Sequence, residues 1–259
     1  MGLIGCGSLT TEGGGGGINL LSTEEELALG QKMAAQIEQE QPVLNDPAVQ
    51  QYVDRIGQRL QAVVPPGVDR NINYQFKVID APDTVNAFAL PGGYLYVYTG
   101  LMKLIENEAE LAGVMAHEIA HVTAEHHGEQ LTKQYGASFL ASLLLGEDPG
   151  AIAQGVAQVT NYLVQAGYSR EAEREADRIG ADMLMRGGYN PNAMITFMQK
   201  MAAQSQAPGG RIMAFISTHP LTQERIEYLQ SQINTYPANV RADYPVFAER
   251  YQEMKLRLR

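Results

Sequence analysis

"MAHEIAHVTAEHHGEQ", Met115 to Gln130, holds four of the chain's five histidines within eleven residues. His117 and His121 are four apart, and Glu118 directly follows the first. On a helix, residues four apart lie about 40° from each other on one face. The two imidazoles therefore project side by side, close enough to hold one ion. Glu118 is turned about 100° from His117, along the edge of the same groove. There it reaches a water on the metal without binding the metal itself. H-E-x-x-H is a zinc-hydrolase signature for this reason: two neutral nitrogen ligands and a carboxylate that takes a proton from the bound water. The plainer alternative is a solvent-facing helix with paired histidines. By the same geometry, His126 points roughly opposite His117 and His127 points to the side. Neither joins the site from a straight helix; a structural role or a charge at the helix C-terminus suits them. Gly113 and Ala124 lie on the ligand face, where another backbone can approach.

A catalytic zinc needs a third protein ligand and an open position for water. The candidates lie in "SREAEREADRIGADML", Ser169 to Leu184. On a helical wheel Glu171, Arg174, Glu175, Arg178 and Asp182 form one charged stripe of alternating sign, suited to water. Glu173, Ala176, Asp177 and Gly180 form the opposite stripe. Two carboxylates on a small-residue face are costly to bury unless they bind something. The pattern therefore predicts that this face packs on the His117/His121 helix. Glu173 becomes the third ligand. Asp177, one turn on, accepts a hydrogen bond from the far nitrogen of a ligand imidazole. The alternative is an ordinary exposed acidic helix.

Around these segments the chain reads as mostly helical with one small sheet. Ser22 and Glu25 resemble a capping box for a helix from Thr23 to about Glu40. Asp46-Pro47 opens a helix carrying Val49, Tyr52, Val53, Ile56 and Leu60 at helical spacing. From Asn71 to Thr99, β-branched and aromatic residues predict two or three strands with a turn at Pro91-Gly92-Gly93. Beyond Gly100 the pattern predicts helices to the end. One long helix covers Glu106 to about Gly128, and others cover Ala137–Leu145, Ala151 to about Gln165, and Ser169 to Gly187. Further helices start at Asn190-Pro191, after "STHPLTQER", and near Pro245. The fold class is α+β, mostly α, with residues 19–259 as one domain.

Composition narrows the function classes. With 259 residues, 45% hydrophobic and 19% charged, the chain supports a real core. A net charge of -10 and no long basic cluster argue against nucleic acid as a partner. The single cysteine, Cys6, precludes an internal disulfide. Leu3-Ile4-Gly5-Cys6 resembles a bacterial lipobox, in which the Cys becomes lipidated. The five residues before it cannot hold a complete signal peptide. Either the given chain starts inside one, or the match is accidental. Five consecutive glycines, Gly13 to Gly17, make a flexible tether that suits a domain hanging from an anchored N-terminus, or else a plain tail. Residues 1–18 are thus read as lipobox-like N-terminus and linker. No apolar run approaches the 18 or so residues needed to span a membrane.

"NEAELAGVMAHEIAHVTAEH", "YSREAEREAD" and "STHPLTQERI" together resemble the HExxH metallopeptidases related to the CAAX prenyl proteases, the heat-shock membrane protease HtpX and the mitochondrial inner-membrane protease Oma. The likeness is greatest to the soluble periplasmic bacterial members of the β-barrel assembly-enhancing type. It extends to "NAFALPGGYLYVYTGL" and "STEEELALGQKMAAQIE", from about Asn19 to the end of the "HPLTQERI" helix. The helical-repeat domain and the transmembrane helices of the various relatives are not among the matched stretches, so their quality-control roles do not carry over automatically. The resemblance implies a gluzincin arrangement, with Glu173 as third ligand, Asp177 beside it and a small sheet packed by the HExxH helix. It also implies a role for His219, either as a fourth ligand that blocks the water position or as a stabiliser of the transition state. A turn histidine before Pro220 is the alternative. Substrate is expected to lie extended along an edge strand near Asn86 to Leu90; a purely structural hairpin is the other reading.

These readings combine into a zinc-dependent endopeptidase with one Zn2+ per chain, held by His117, His121 and Glu173. Glu118 is the base and His219 the candidate oxyanion partner. Its expected substrates are misfolded or misassembled envelope proteins in the bacterial periplasm, and Cys6 would tether it to the inner or outer membrane if lipidated. One alternative is a mainly non-proteolytic, chaperone-like binding factor with an occluded zinc site. Another is a structural zinc closed by four protein ligands, which leaves Glu118 without a task.

Overall fold

The computed structural model describes residues 17–205 and 212–258. Cys6 and all but the last glycine of the tether lie outside the described residues. Ser22 and Glu25 exchange the two hydrogen bonds of a capping box and start α1 (Thr23–Glu40). Asp46 accepts from the Ala48 and Val49 N–H groups and, with Pro47 in the first turn, starts α2 (Pro47–Gln61), which buries the five apolar residues expected of it.

Three strands follow: β1 (Gln75–Ile79), β2 (Ala87–Leu90) and β3 (Tyr94–Tyr98). Their order is β1-β3-β2, with β3 parallel to β1 and antiparallel to β2. The β2–β3 hairpin turns at Pro91-Gly92-Gly93, where the glycines take φ of +77° and +90°, values that side-chain-bearing residues avoid. Side chains alternate across the sheet. Phe76, Val78, Ala87, Ala89, Leu95 and Val97 join one core, shared with α2 and the zinc-signature helix. Ile79, Phe88, Leu90, Tyr96 and Tyr98 join a second core on the other face, shared with α1 and residues 131–163. The mostly helical α+β expectation is met.

After α3 (Thr99–Leu104) comes α4 (Glu108–Thr123), which carries the H-E-x-x-H residues and buries all sixteen of its positions. The remaining helices are α5 (His126–Leu145), α6 (Pro149–Gln165), α7 (Arg170–Arg186), α8 (Asn192–Ser205), α9 (Met213–Thr218), α10 (Gln223–Asn234), α11 (Ala238–Asp243) and α12 (Ala248–Lys255). Three of these helices, α3, α9 and α11, span six residues each and are too short to show a helical period.

α7 packs lengthwise on α4 through the stripe of Glu173, Ala176, Asp177 and Gly180, all buried. A Cβ at Gly180 would stand 3.2 Å from the His117 backbone nitrogen, so glycine permits this close approach. Glu175, read as water-facing, is instead partly covered and turned toward His126.

One element differs from expectation. The helix predicted to run to Gly128 stops at Thr123. Glu125 takes the left-handed conformation, φ 62° and ψ 18°, and α5 starts in a new direction. Arg70 braces the break: it donates to the Val122 carbonyl at 3.2 Å, pairs with Glu26 at 2.6 Å and lies 3.2 Å from Glu125. α5 is interrupted again at Gly136, φ 74°, which leaves 137–145 as the separate segment expected. Among the described residues, no helix is long and apolar enough to cross a membrane.

Candidate metal centre

His117, His121, Glu173 and His219 each turn one ligand atom into a common point, all four atoms within 4.8 Å of one another and all four residues buried. Their position follows from the fold. α4 supplies the two histidines one turn apart, α7 brings Glu173 across from them, and the residue after α9 supplies His219. His117 Nε2 and His121 Nε2 lie 3.1 Å apart, and each is 3.5 Å from a Glu173 oxygen. His219 Nδ1 is 3.0 Å from Glu173 Oε1 and 3.3 Å from His117 Nε2, and its Nε2 is 3.3 Å from Glu118 Oε1.

The far nitrogens decide what the near ones can do. His117 Nδ1 lies 3.0 Å from Asp177 Oδ1, so its proton belongs there. His121 Nδ1 is 2.8 Å from His126 Nδ1, and His126 Nε2 is 3.4 Å from Glu175. With the His126 proton toward Glu175, His126 Nδ1 accepts from His121 Nδ1–H. Both Nε2 atoms then present lone pairs to each other at 3.1 Å. Two lone pairs at that separation repel unless a proton or a metal ion lies between them, and with Glu173 and His219 converging on the same point the donor set fits a divalent metal. The charge balance agrees. Three buried carboxylates, Glu118, Glu173 and Asp177, face one guanidinium, Arg225, which leaves two negative charges.

Titration reflects the same balance. Burial pulls the His117 imidazole down, but Asp177 and Glu173 reverse this and push it up to about 10: the carboxylates draw a positive charge to this point, which a proton on His117 or a metal ion in its place supplies. Burial holds His121 well below its usual range, as a neutral ligand requires. Burial works against charge on Glu173 and Asp177 too. His219 and Arg225 nevertheless hold Glu173 well below the usual carboxylate range, and Arg225 and His117 lower Asp177. Burial raises Glu118, which makes it a stronger base.

The structure thus brings together every residue singled out from the sequence: His117, Glu118, His121, Glu173, Asp177 and His219. It adds four that were missed. Arg225 grips Asp177 through Nε at 2.7 Å and Nη2 at 2.8 Å, and also contacts Glu173. Tyr168 stacks on His121 with ring centres 3.8 Å apart, and its N–H donates to the Thr218 carbonyl. His126 and His127 were expected to be excluded by a straight helix; the Glu125 break swings them back. His126 backs His121, and His127 Nε2 donates to the Ala89 carbonyl at 3.0 Å. Beside His117 an apolar cleft is lined by Val114, Met194, Phe197, Met198, Phe215 and Leu221.

The model for peptidase family M48 matches residues 47–233, which include all of these site residues. The chain belongs to peptidase family M48. Members of this family are zinc metallopeptidases, and the buried histidine–glutamate cluster is where this chain can hold the ion. It is 33% identical over 226 residues to the β-barrel assembly-enhancing protease of Escherichia coli K12, covering 83% of this chain and 45% of that one. The Yersinia pestis protein of the same description is 33% identical over 231 residues, with 83% and 45% covered. The mitochondrial metalloendopeptidase OMA1 of Schizosaccharomyces pombe is 34% identical over 184 residues, 69% of this chain and 51% of that one. The chain spans about half the length of these curated relatives.

Proposed function

We propose that the chain is a zinc-dependent endopeptidase held closed over its metal centre by His219 and Tyr168. The observation that carries this reading is the convergence of two imidazole nitrogens and one carboxylate held in its ionised form, with Glu118 beside them. His117, His121 and Glu173 would hold the ion, with His219 as a fourth donor in the closed form. Bound there, zinc supplies a Lewis acid that polarises a scissile carbonyl and acidifies water.

The chain's own residues do the rest. Glu118 takes a proton from water and hands it to the leaving amine. Asp177 and His126 keep His117 and His121 in the tautomer whose Nε2 is free, and Arg225 fixes Asp177 and Glu173 in place. Once His219 swings off the centre, its imidazole can donate to the developing oxyanion. The substrate backbone pairs with the β2 edge near Asn86–Leu90. We infer misfolded or misassembled envelope proteins in the periplasm as substrates; the relatives' description as β-barrel assembly-enhancing proteases is what favours that class.

The second reading is a chaperone-like factor for envelope proteins with an occluded centre. It is favoured by the place of His219, whose Nδ1 sits among the three other ligand atoms. Casein cleavage by the zinc-loaded chain tests both. Glu118→Gln should retain zinc and lose at least about 10³-fold in rate, in line with the upper part of general acid–base effects; undiminished cleavage refutes the scheme. With His219→Ala, faster cleavage marks a latent protease and lost cleavage marks a catalytic His219. No cleavage by either wild type or His219→Ala favours the binding factor.

A further inference from the structure

β2 is an outer strand, and in its pairing with β3 every second residue turns its main-chain groups away from β3. The Asn86 carbonyl accepts from Tyr98 N–H at 3.1 Å, which sets the phase: Phe88 and Leu90 pair inward, Ala87 and Ala89 face outward. The outward groups of Ala89 are already engaged. Its N–H donates to Glu118 Oε2 at 3.2 Å, and its carbonyl accepts from His127 Nε2 at 3.0 Å. The Ala87 N–H donates to Asn86 Oδ1 at 3.0 Å. A peptide strand added to this edge exchanges both bonds with Ala89 through a single residue, its carbonyl taking the N–H and its N–H meeting the carbonyl. Glu118 and His127 fill those two positions with side chains.

We propose that His127 and Glu118 together cap the β2 edge as a stand-in for a strand, and that an incoming extended peptide displaces both, so that docking of the substrate backbone releases Glu118 to act as base. This rests on the endopeptidase reading above. The Ala89 carbonyl is the one hydrogen-bond partner of His127 among the described residues: the ring is 1% exposed, it packs edge-on against Tyr168 and His121, and its Nδ1 is buried without a hydrogen-bond partner. Its aim depends on the left-handed Glu125, which Arg70 and Asn19 hold in place. The cap also withdraws the edge from pairing with other chains. His127 is a positioning residue in this scheme; it governs where the substrate backbone can sit and takes no part in bond cleavage.

Steady-state cleavage of a fluorogenic extended peptide by the zinc-loaded full chain provides the test. His127→Leu keeps buried bulk and removes the donor, whereas His127→Gln retains an amide donor. The leucine variant should lower KM by about 2- to 10-fold, the weight of one hydrogen bond lost by the competitor, with kcat at or above wild type. The glutamine variant should stay near wild type. An unchanged or higher KM for His127→Leu, with wild-type zinc content and Tm, overturns the proposal. Should that variant not fold, 15N-imidazole NMR of Glu118→Gln titrated with the same peptide decides. The His127 Nε2–H signal should shift and exchange faster with water as peptide saturates, and a signal that stays put overturns the cap. Absence of cleavage by both the wild-type chain and His219→Ala rejects the endopeptidase reading, and the NMR titration still judges the cap. Cleavage with a KM indifferent to His127 rejects the cap alone.

Discussion

Glu108 opens α4, and Glu173 lies against that helix's other half; both carboxylates are at most 2% exposed, yet their neighbours differ in kind. Glu108 receives the Tyr52 hydroxyl at 2.5 Å, the Tyr189 hydroxyl at 2.8 Å and the Arg250 guanidinium. Every partner is a donor, so the charge is fully answered by protein. Glu173 has Arg225 and His219 on it but shares its pocket with the two Nε2 lone pairs of His117 and His121. A buried carboxylate among donors is a structural charge. One among further acceptors is half of a metal site.

Exchanging the two carboxylates one at a time separates these roles. Glu173→Ala should lower zinc affinity by more than about 10³-fold and abolish cleavage, because a ligand is lost outright. Glu108→Ala should leave zinc content unchanged and cost roughly 2–3 kcal/mol in denaturant unfolding, since it strands two buried hydroxyls. Zinc titration and urea melts on both variants check this. Metal loss in the Glu108 variant would erase the distinction between the two ends.

Arg225 sharpens the comparison at a smaller scale. It reaches Asp177 and Glu173 but not the shared point. Arg225→Met should therefore weaken zinc binding by about 10- to 100-fold without eliminating it, as loss of a ligand's supporting partner does. A competition assay with a chromogenic chelator reads this directly.

Much of the centre was legible in the residues because it is written at helical spacing. His117 and His121 fall on one face of α4 with Glu118 at its edge, and Glu173, Asp177 and Gly180 fall on one face of α7. The expense of burying two carboxylates was enough to predict which face meets which. What escaped depends on tertiary contacts. Glu125 is not a glycine, and nothing in "TAEHHG" announces a left-handed residue. The break is imposed by Arg70, Glu26 and Asn19, more than fifty residues upstream, so His126 and His127 could not be placed from a wheel. Arg225 and Tyr168 lie on segments whose approach to the site is set by packing alone. His219 came only through family likeness.

The smallest expected effect concerns acid stability. Burial, with a contribution from His126, pushes His127 down to about 3 from an ordinary value of 6.5. Its folded-state pKa is depressed, so the neutral ring favours folding above pH 6.5. That contribution declines as pH falls toward 3 while the unfolded chain takes up the proton. Between pH 6.5 and 5 the loss is on the order of 1–2 kcal/mol. His127→Gln should flatten this part of the Tm-versus-pH curve in zinc-loaded protein; parallel curves for variant and wild type would show that the ring titrates normally.

X-ray absorption at the zinc edge, combined with metal stoichiometry on the purified chain, tests the central claim most directly. The geometry predicts one zinc per chain in a shell of histidine nitrogens and carboxylate oxygen, losing a nitrogen in both His117→Ala and His121→Ala. A chain that retains no metal, or a spectrum unchanged in those two variants, would contradict it.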